Sequence, residues 1–175
     1  MANILITGGT GFIGIPLVKK LHELGNRLKL LIREGSNTTS FKELNNIDYI
    51  IGDIRDVSSL EKAANNVDAI YHLAAYTAIW AKNKSIYYDV NVKGTENVVN
   101  IALKNNLKLF YISSFTALGP TPQEAVDETH ENENFFMEYE KSKFQAKKLV
   151  KSYIPKGLKV MIFYPGIVYG PGDFN

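Results

Sequence analysis

Three glycines at a fixed three-residue spacing, Gly8, Gly11 and Gly14, separate a short apolar run from an amphipathic stretch near the start of the chain. The run Ala2–Thr7 reads as a strand buried on both faces. Phe12–Leu24 reads as a helix, with Ile13, Leu17, Leu21 and Leu24 at helical spacing and Gly25 closing it. A strand-to-helix turn this rich in glycine lets backbone approach a ligand where side chains would block it. The helix N-terminus behind it offers free N–H groups and the positive end of a dipole. A pyrophosphate is the ligand such a turn suits, and Gly14 lets the helix pack closely on the strand. Gly8, Thr10, Gly11, Phe12, Ile13 and Gly14 are therefore the first residues expected at a dinucleotide.

The remaining chain alternates β-branched runs with helical stretches. Strands are expected at Leu28–Ile32, Ile47–Ile51, Ala69–Leu73, Lys108–Ser113 and Lys159–Tyr164. Helices are expected at Ser58–Asn65, opened by a Ser cap, at Ser85–Lys104 and at Phe136–Tyr153, with a short one at Phe41–Leu44. This alternation implies right-handed crossovers and an α/β fold: a Rossmann-type doubly wound parallel sheet of about six strands, in the order 3-2-1-4-5-6. Residues 1–175 then form one NAD(P)-binding domain. Ligands of such sheets lie beyond the carboxyl ends of the strands.

Composition removes several classes. The chain has no Cys, which excludes disulfides and thiolate metal sites, and no metal is expected. The net charge of +2 gives no case for nucleic acid or an anionic membrane. The basic helix Lys141–Lys151 reads as a solvated face. No apolar run is long enough for a membrane span, and no leader is evident, so a cytoplasmic protein is expected.

Two further features speak to chemistry. The second strand ends in Ile32-Arg33-Glu34. An acidic residue at this point binds the 2′-hydroxyl of NAD, whereas Arg33 could pair with the 2′-phosphate of NADP. NADP is preferred slightly, with NAD as the alternative because of Glu34. Tyr139 and Lys143 form the Tyr-x-x-x-Lys spacing, which alone says nothing in a chain with 10 Tyr. Its context does: the pair shares a helix face at i, i+4, and Ser114 directly follows the fifth strand. Alcohol oxidation needs a base for the hydroxyl proton. A free Tyr, with a pKa near ~10, is a poor one. A neighbouring ammonium favours the phenolate, and a Ser hydroxyl can fix the substrate oxygen.

The segments ITGGTGFIG, GDIRD, YHLAA, NVKGTENV, ISSFTALGP, YEKSK and YPGIVYGPGD, in this order, resemble the extended short-chain dehydrogenase/reductase family, also called the NAD-dependent epimerase/dehydratase family. Among its branches the chain is most similar to the dihydroflavonol-reductase and farnesol-dehydrogenase-like members. The resemblance implies a catalytic triad of Ser114, Tyr139 and Lys143. It places Asp53, with Ile54 beside it, at the adenine. Leu73, Ala74 and Ala75 would line the cofactor, Asn91 would support the site, and Pro165, Gly166, Ile167 and Val168 would meet the nicotinamide end. Phe115 and Thr116 stand where a 4,6-dehydratase carries Asp-Glu, which argues against that reaction. Apolar Phe115, Ile79 and Trp80 point to an apolar substrate face, with loop packing as the other reading. Tyr164 replaces an Arg common in sugar-nucleotide members. His72 is read as structural.

The implied activity is NAD(P)-dependent hydride transfer between nicotinamide and a small alcohol or carbonyl substrate. The alternatives are a sugar-nucleotide epimerase and a non-catalytic NAD(P) sensor. Family members run on for about 150 further residues, the size of a second lobe. The substrate-binding lobe is therefore expected to be missing from this chain, with weak cofactor binding and little turnover. A homodimer through a four-helix interface is also expected.

Overall fold

The computed structural model describes residues 1–173. Six parallel strands, β1 (Asn3–Thr7), β2 (Arg27–Ile32), β3 (Ile47–Ile51), β4 (Ala69–His72), β5 (Lys108–Ile112) and β6 (Lys159–Phe163), form one sheet in the order β3-β2-β1-β4-β5-β6. This is the expected Rossmann-type order, reversing direction between β1 and β4. The helices are α1 (Gly14–Glu23), α2 (Val57–Ala63), α3 (Ser85–Tyr88), α4 (Thr95–Lys104) and α5 (Glu138–Tyr153). Among the described residues no helix is long and apolar enough to cross a membrane.

Alternation along the central strands sends side chains to both faces, and both are covered there. Ile4 and Ile6 of β1 and Leu28, Leu30 and Ile32 of β2 pack with Val18 and Leu21 of α1 and with Phe41. Leu5, Leu31, Ile70, Leu109 and Tyr111 face the other way, against Leu60 of α2, Val98, Ile101 and Ala102 of α4, and Ala146 and Val150 of α5. On the α1 face the sheet opens toward β6, where Met161 and Phe163 are exposed.

Local chemistry adjusts the expected boundaries. The cap of α2 is Asp56, an Asp whose place in the sequence suits a helix cap or turn, and its carboxylate accepts the Ser58 N–H at 3.0 Å, so the helix begins at Val57 rather than on the expected Ser58 cap. The short helix expected at Phe41–Leu44 is a 3₁₀ turn over Thr39–Phe41. The long helix expected over Ser85–Lys104 is interrupted. Between α3 and α4 lies a π-helical segment, Asp89–Gly94, that carries Asn91 inward to full burial.

His72, at the end of β4, fastens three elements. Its Nδ1 lies 2.7 Å from Thr7 Oγ1 on β1, and its Nε2 lies 3.0 Å from Thr95 Oγ1 on α4. Burial, with the Lys143 charge adding to it, holds the imidazole down to about 3 from its ordinary 6.5. A neutral ring suits one donor and one acceptor bond. As pH falls below 6.5 the unfolded chain takes up a proton that the folded chain refuses until about 3, so this contribution to stability is lost with acid. His72→Asn is expected to cost on the order of 1–3 kcal/mol at neutral pH and to flatten the acid side of the stability profile. Urea titrations across that range test this, and parallel profiles for the two proteins would contradict it.

Candidate functional site

The glycine turn is shaped by backbone meeting backbone. Gly8 has a left-handed φ of 73°, and a Cβ on it would lie 2.5 Å from the Ala74 nitrogen; one on Gly14 would lie 2.3 Å from the Gly8 oxygen. The turn closes through Gly11 N–H to Gly8 O at 3.1 Å and Ile15 N–H to Gly11 O at 2.9 Å. No side chain caps α1, and its first turn carries no acidic residue; Ile15 N–H is already given to Gly11 O and Pro16 has none, so the N–H groups available to an anion are those of the turn ahead of Ile15. Thr10 and Phe12 are half-buried and Ile13 is exposed at the rim.

Beyond β2, Arg33 is exposed, and its charge together with that of Arg55 lowers the Asp53 carboxyl. Hydrogen bonding from Arg55 is the largest influence on that carboxyl. The Arg55 guanidinium grips it bidentately, Nε to Oδ1 at 2.9 Å and a terminal nitrogen to Oδ2 at 2.8 Å. Asp53, expected at an adenine amino group, is thus held by a neighbour two residues away. Ile54 turns its side chain into the core, while its carbonyl accepts from Asn97 Nδ2 at 3.0 Å.

Next to the turn, Leu73, Ala74 and Ala75 are half-buried along the exit of β4. This loop is fastened by Asn91, whose Oδ1 accepts Tyr76 N–H at 2.7 Å and whose Nδ2 donates to Tyr76 O at 3.1 Å and Ser142 Oγ at 2.9 Å. Asn91 thereby couples the β4 loop to α5 rather than opening to the crevice. Farther along the loop, Ile79 and Trp80 are exposed.

Ser114 follows β5 and caps a 3₁₀ turn over Phe115–Leu118. Its Oγ accepts Thr116 N–H at 3.2 Å and lies 2.9 Å from Thr116 Oγ1. Tyr139 lies in the first turn of α5. That turn is anchored by Glu140 Oε2, which accepts Phe136 N–H at 3.1 Å and Met137 N–H at 3.2 Å, and by Tyr88, whose hydroxyl donates to Glu138 at 2.6 Å. Burial raises the Tyr139 phenol above its ordinary value, and a hydrogen-bond contact with Ser114 works against that rise. Lys143 is fully enclosed. Its ammonium donates to Ile112 O at 3.0 Å and lies 5.2 Å from the centre of the Tyr111 ring. Burial alone brings it down to about 8.

The structure brings Ser114, Tyr139 and Lys143 together at the carboxyl end of β5, the same end of the sheet as the glycine turn. It does not show the ammonium lowering the phenol, the influence expected from the spacing; Ser114 does that here. The Pro165 carbonyl accepts Phe115 N–H at 3.0 Å, which joins the segment after β6 to the Ser114 turn. Gly166, Ile167 and Val168 are exposed. Sequence reasoning missed the Arg55 grip on Asp53 and the Thr116 contact with Ser114. Both are two-residue neighbours, for which no periodicity gives a signal.

A Rossmann-type sheet with this turn and this Ser, Tyr and Lys grouping defines the extended short-chain dehydrogenase/reductase superfamily. Within it the chain belongs to the 3-beta hydroxysteroid dehydrogenase/isomerase family, whose pattern matches residues 5–175. It is 31% identical over 174 residues to a Synechocystis protein provisionally named dihydroflavonol 4-reductase, an alignment taking 97% of this chain and 50% of the relative. It is also 31% identical over 178 residues to the 2-alkyl-3-oxoalkanoate reductase of Stenotrophomonas maltophilia, covering 98% of this chain and 52% of that one. The Thermus thermophilus UDP-glucose 4-epimerase, solved with NAD, shares the fold with a TM-score of 0.86 at 24% identity, over 97% of this chain and 57% of its own. The chain spans about half the length of the curated relatives it matches.

A buried ammonium brought down to about 8 from 10.5 has a testable cost. Between those values the unfolded chain holds the proton that the folded chain has released, so stability rises with pH. Lys143→Met removes this dependence. The native chain should therefore gain on the variant by on the order of 2 kcal/mol between about pH 7 and pH 10, read from chemical denaturation. An unchanged difference would show that Lys143 is hydrated.

Proposed function

We propose that this chain is the cofactor-binding part of an NADP-linked alcohol dehydrogenase or carbonyl reductase, with NAD as the alternative cofactor. One observation carries the reading: the Tyr139 phenol, in contact with Ser114 and one helical turn from enclosed Lys143, lies at the same sheet end as an uncapped helix behind a glycine turn. The turn suits a dinucleotide, since Gly8 and Gly14 let it close to separations that a Cβ would forbid, and Gly11 leaves its exposed edge without a side chain. Arg33, exposed at the end of β2, is the group for a 2′-phosphate.

When bound, the nicotinamide supplies or accepts the hydride. Tyr139 gives a proton to the carbonyl oxygen in reduction and takes it back in oxidation. Ser114 holds that oxygen in place. Lys143 is the cation for the nicotinamide ribose, and from there it can support the phenolate once a ligand draws it away from the Ile112 carbonyl. Burial keeps the phenol protonated at neutral pH, which suits the reductive direction. The 2-alkyl-3-oxoalkanoate reductase named above supports this side of the reading.

Tyr139→Phe should lower NADPH-linked carbonyl turnover by about 10²–10⁴-fold while leaving cofactor binding unchanged. Arg33→Ala should weaken NADPH and leave NADH unaffected. Turnover retained in Tyr139→Phe would contradict the mechanism. Cofactor-dependent isomerisation without net NADPH consumption would move the assignment to an epimerase.

A further inference from the structure

The Ser114 hydroxyl has one proton and two lone pairs. One lone pair faces Thr116 N–H at 3.2 Å. The contact with Thr116 Oγ1 at 2.9 Å can run in either direction. Where Ser114 donates to Thr116, its only proton is spent and it can offer nothing to a carbonyl oxygen. Where Thr116 donates, both lone pairs of Ser114 are filled and its proton is left for the side where Tyr139 lies and a substrate oxygen would sit.

Thr116 is not free to leave this position. The turn that carries it is fixed by Phe115 N–H to Pro165 O at 3.0 Å, Ala117 N–H to Ser114 O at 3.0 Å and Gly119 N–H to Thr116 O at 3.1 Å. Thr116 itself is half-buried, and Ser114 beside it is buried. A plain serine cap of the turn needs only the Thr116 N–H. The second hydroxyl, aligned on the same oxygen, is superfluous to that role.

We infer that Thr116 is a positioning residue: its hydroxyl donates to Ser114 Oγ and so commits Ser114 to donate to the reacting oxygen alongside Tyr139. This deepens the proposed function and rests on it. A hydroxyl held as donor acts more strongly where charge gathers on the oxygen than in the ground state, so the effect belongs in kcat.

The test uses the protein with its whole natural chain, NADPH, and benzaldehyde and acetophenone as carbonyl probes. It compares the native protein with Thr116→Val, Thr116→Ser and Tyr139→Phe. Thr116→Val keeps the backbone cap and should keep the melting temperature. Its kcat should fall by about tenfold or more with KM changed less than about twofold. Thr116→Ser should recover most of the loss. Native kcat in Thr116→Val overturns the inference, as does a change confined to KM or a Thr116→Ser variant as slow as the valine one. If Tyr139→Phe is inactive while Thr116→Val is native-like, only the inference fails. If the native protein turns over neither probe, or Tyr139→Phe is as active as native, the functional reading falls and takes the inference with it.

Discussion

The contact on which the site depends is between backbones: the β1–α1 turn against its own start and against the strand exit beside it. Gly14 is packed onto the Gly8 carbonyl and Gly8 onto the Ala74 nitrogen, at separations that no side chain could share. This closeness keeps β1 and β4 adjacent at their carboxyl ends and brings the N-terminus of α1 to the crevice between them. The Leu73–Ala75 exit runs along the turn, and Asn91 ties that exit to α5. The position of Tyr139 is thus connected to the glycine turn through the Gly8–Ala74 backbone packing and the hydrogen bonds from Tyr76 to Asn91, Asn91 to Ser142 and Ser142 to the Tyr139 carbonyl.

Around this frame the protein buries polar groups that a purely structural core would avoid. His72, Asn91 and Lys143 are all nearly inaccessible. His72 and Asn91 use both ends of their side chains to join separate elements, which satisfies them. Lys143 is different. Its ammonium has one carbonyl and an aromatic face and is destabilised as a cation by burial. A group kept charged in a poor environment is what a site awaiting a ligand's hydroxyls would hold.

The sheet order was legible because each strand is a short apolar run and each crossover is long enough for a helix. The glycine spacing then located the crevice. The π segment at Asp89–Gly94 was not legible: Val90, Val98, Ile101 and Ala102 keep a helical pattern across one widened turn, so periodicity reports an unbroken helix. The i, i+4 spacing correctly places Tyr139 and Lys143 on one helix face, but it does not say where a long flexible side chain ends. Here Lys143 ends on the Ile112 carbonyl. Arg55 over Asp53 and Thr116 against Ser114 depend on turn geometry that residue identity alone does not specify.

Gly11 gives the most direct test of the account. Its φ is ordinary, it is exposed, and a Cβ there would meet only the Gly8 oxygen at 3.3 Å. A side chain at Gly11 therefore asks the turn to give by only a few tenths of an ångström, yet it occupies the space where, on the proposed reading, a pyrophosphate approaches. The measurement is calorimetric titration of the native protein and Gly11→Val with NADP and with NAD, alongside their melting curves. The account predicts binding by the native protein, its loss in Gly11→Val, and closely similar melting. Equal binding by both proteins, or no binding of either nucleotide by the native one, would contradict it.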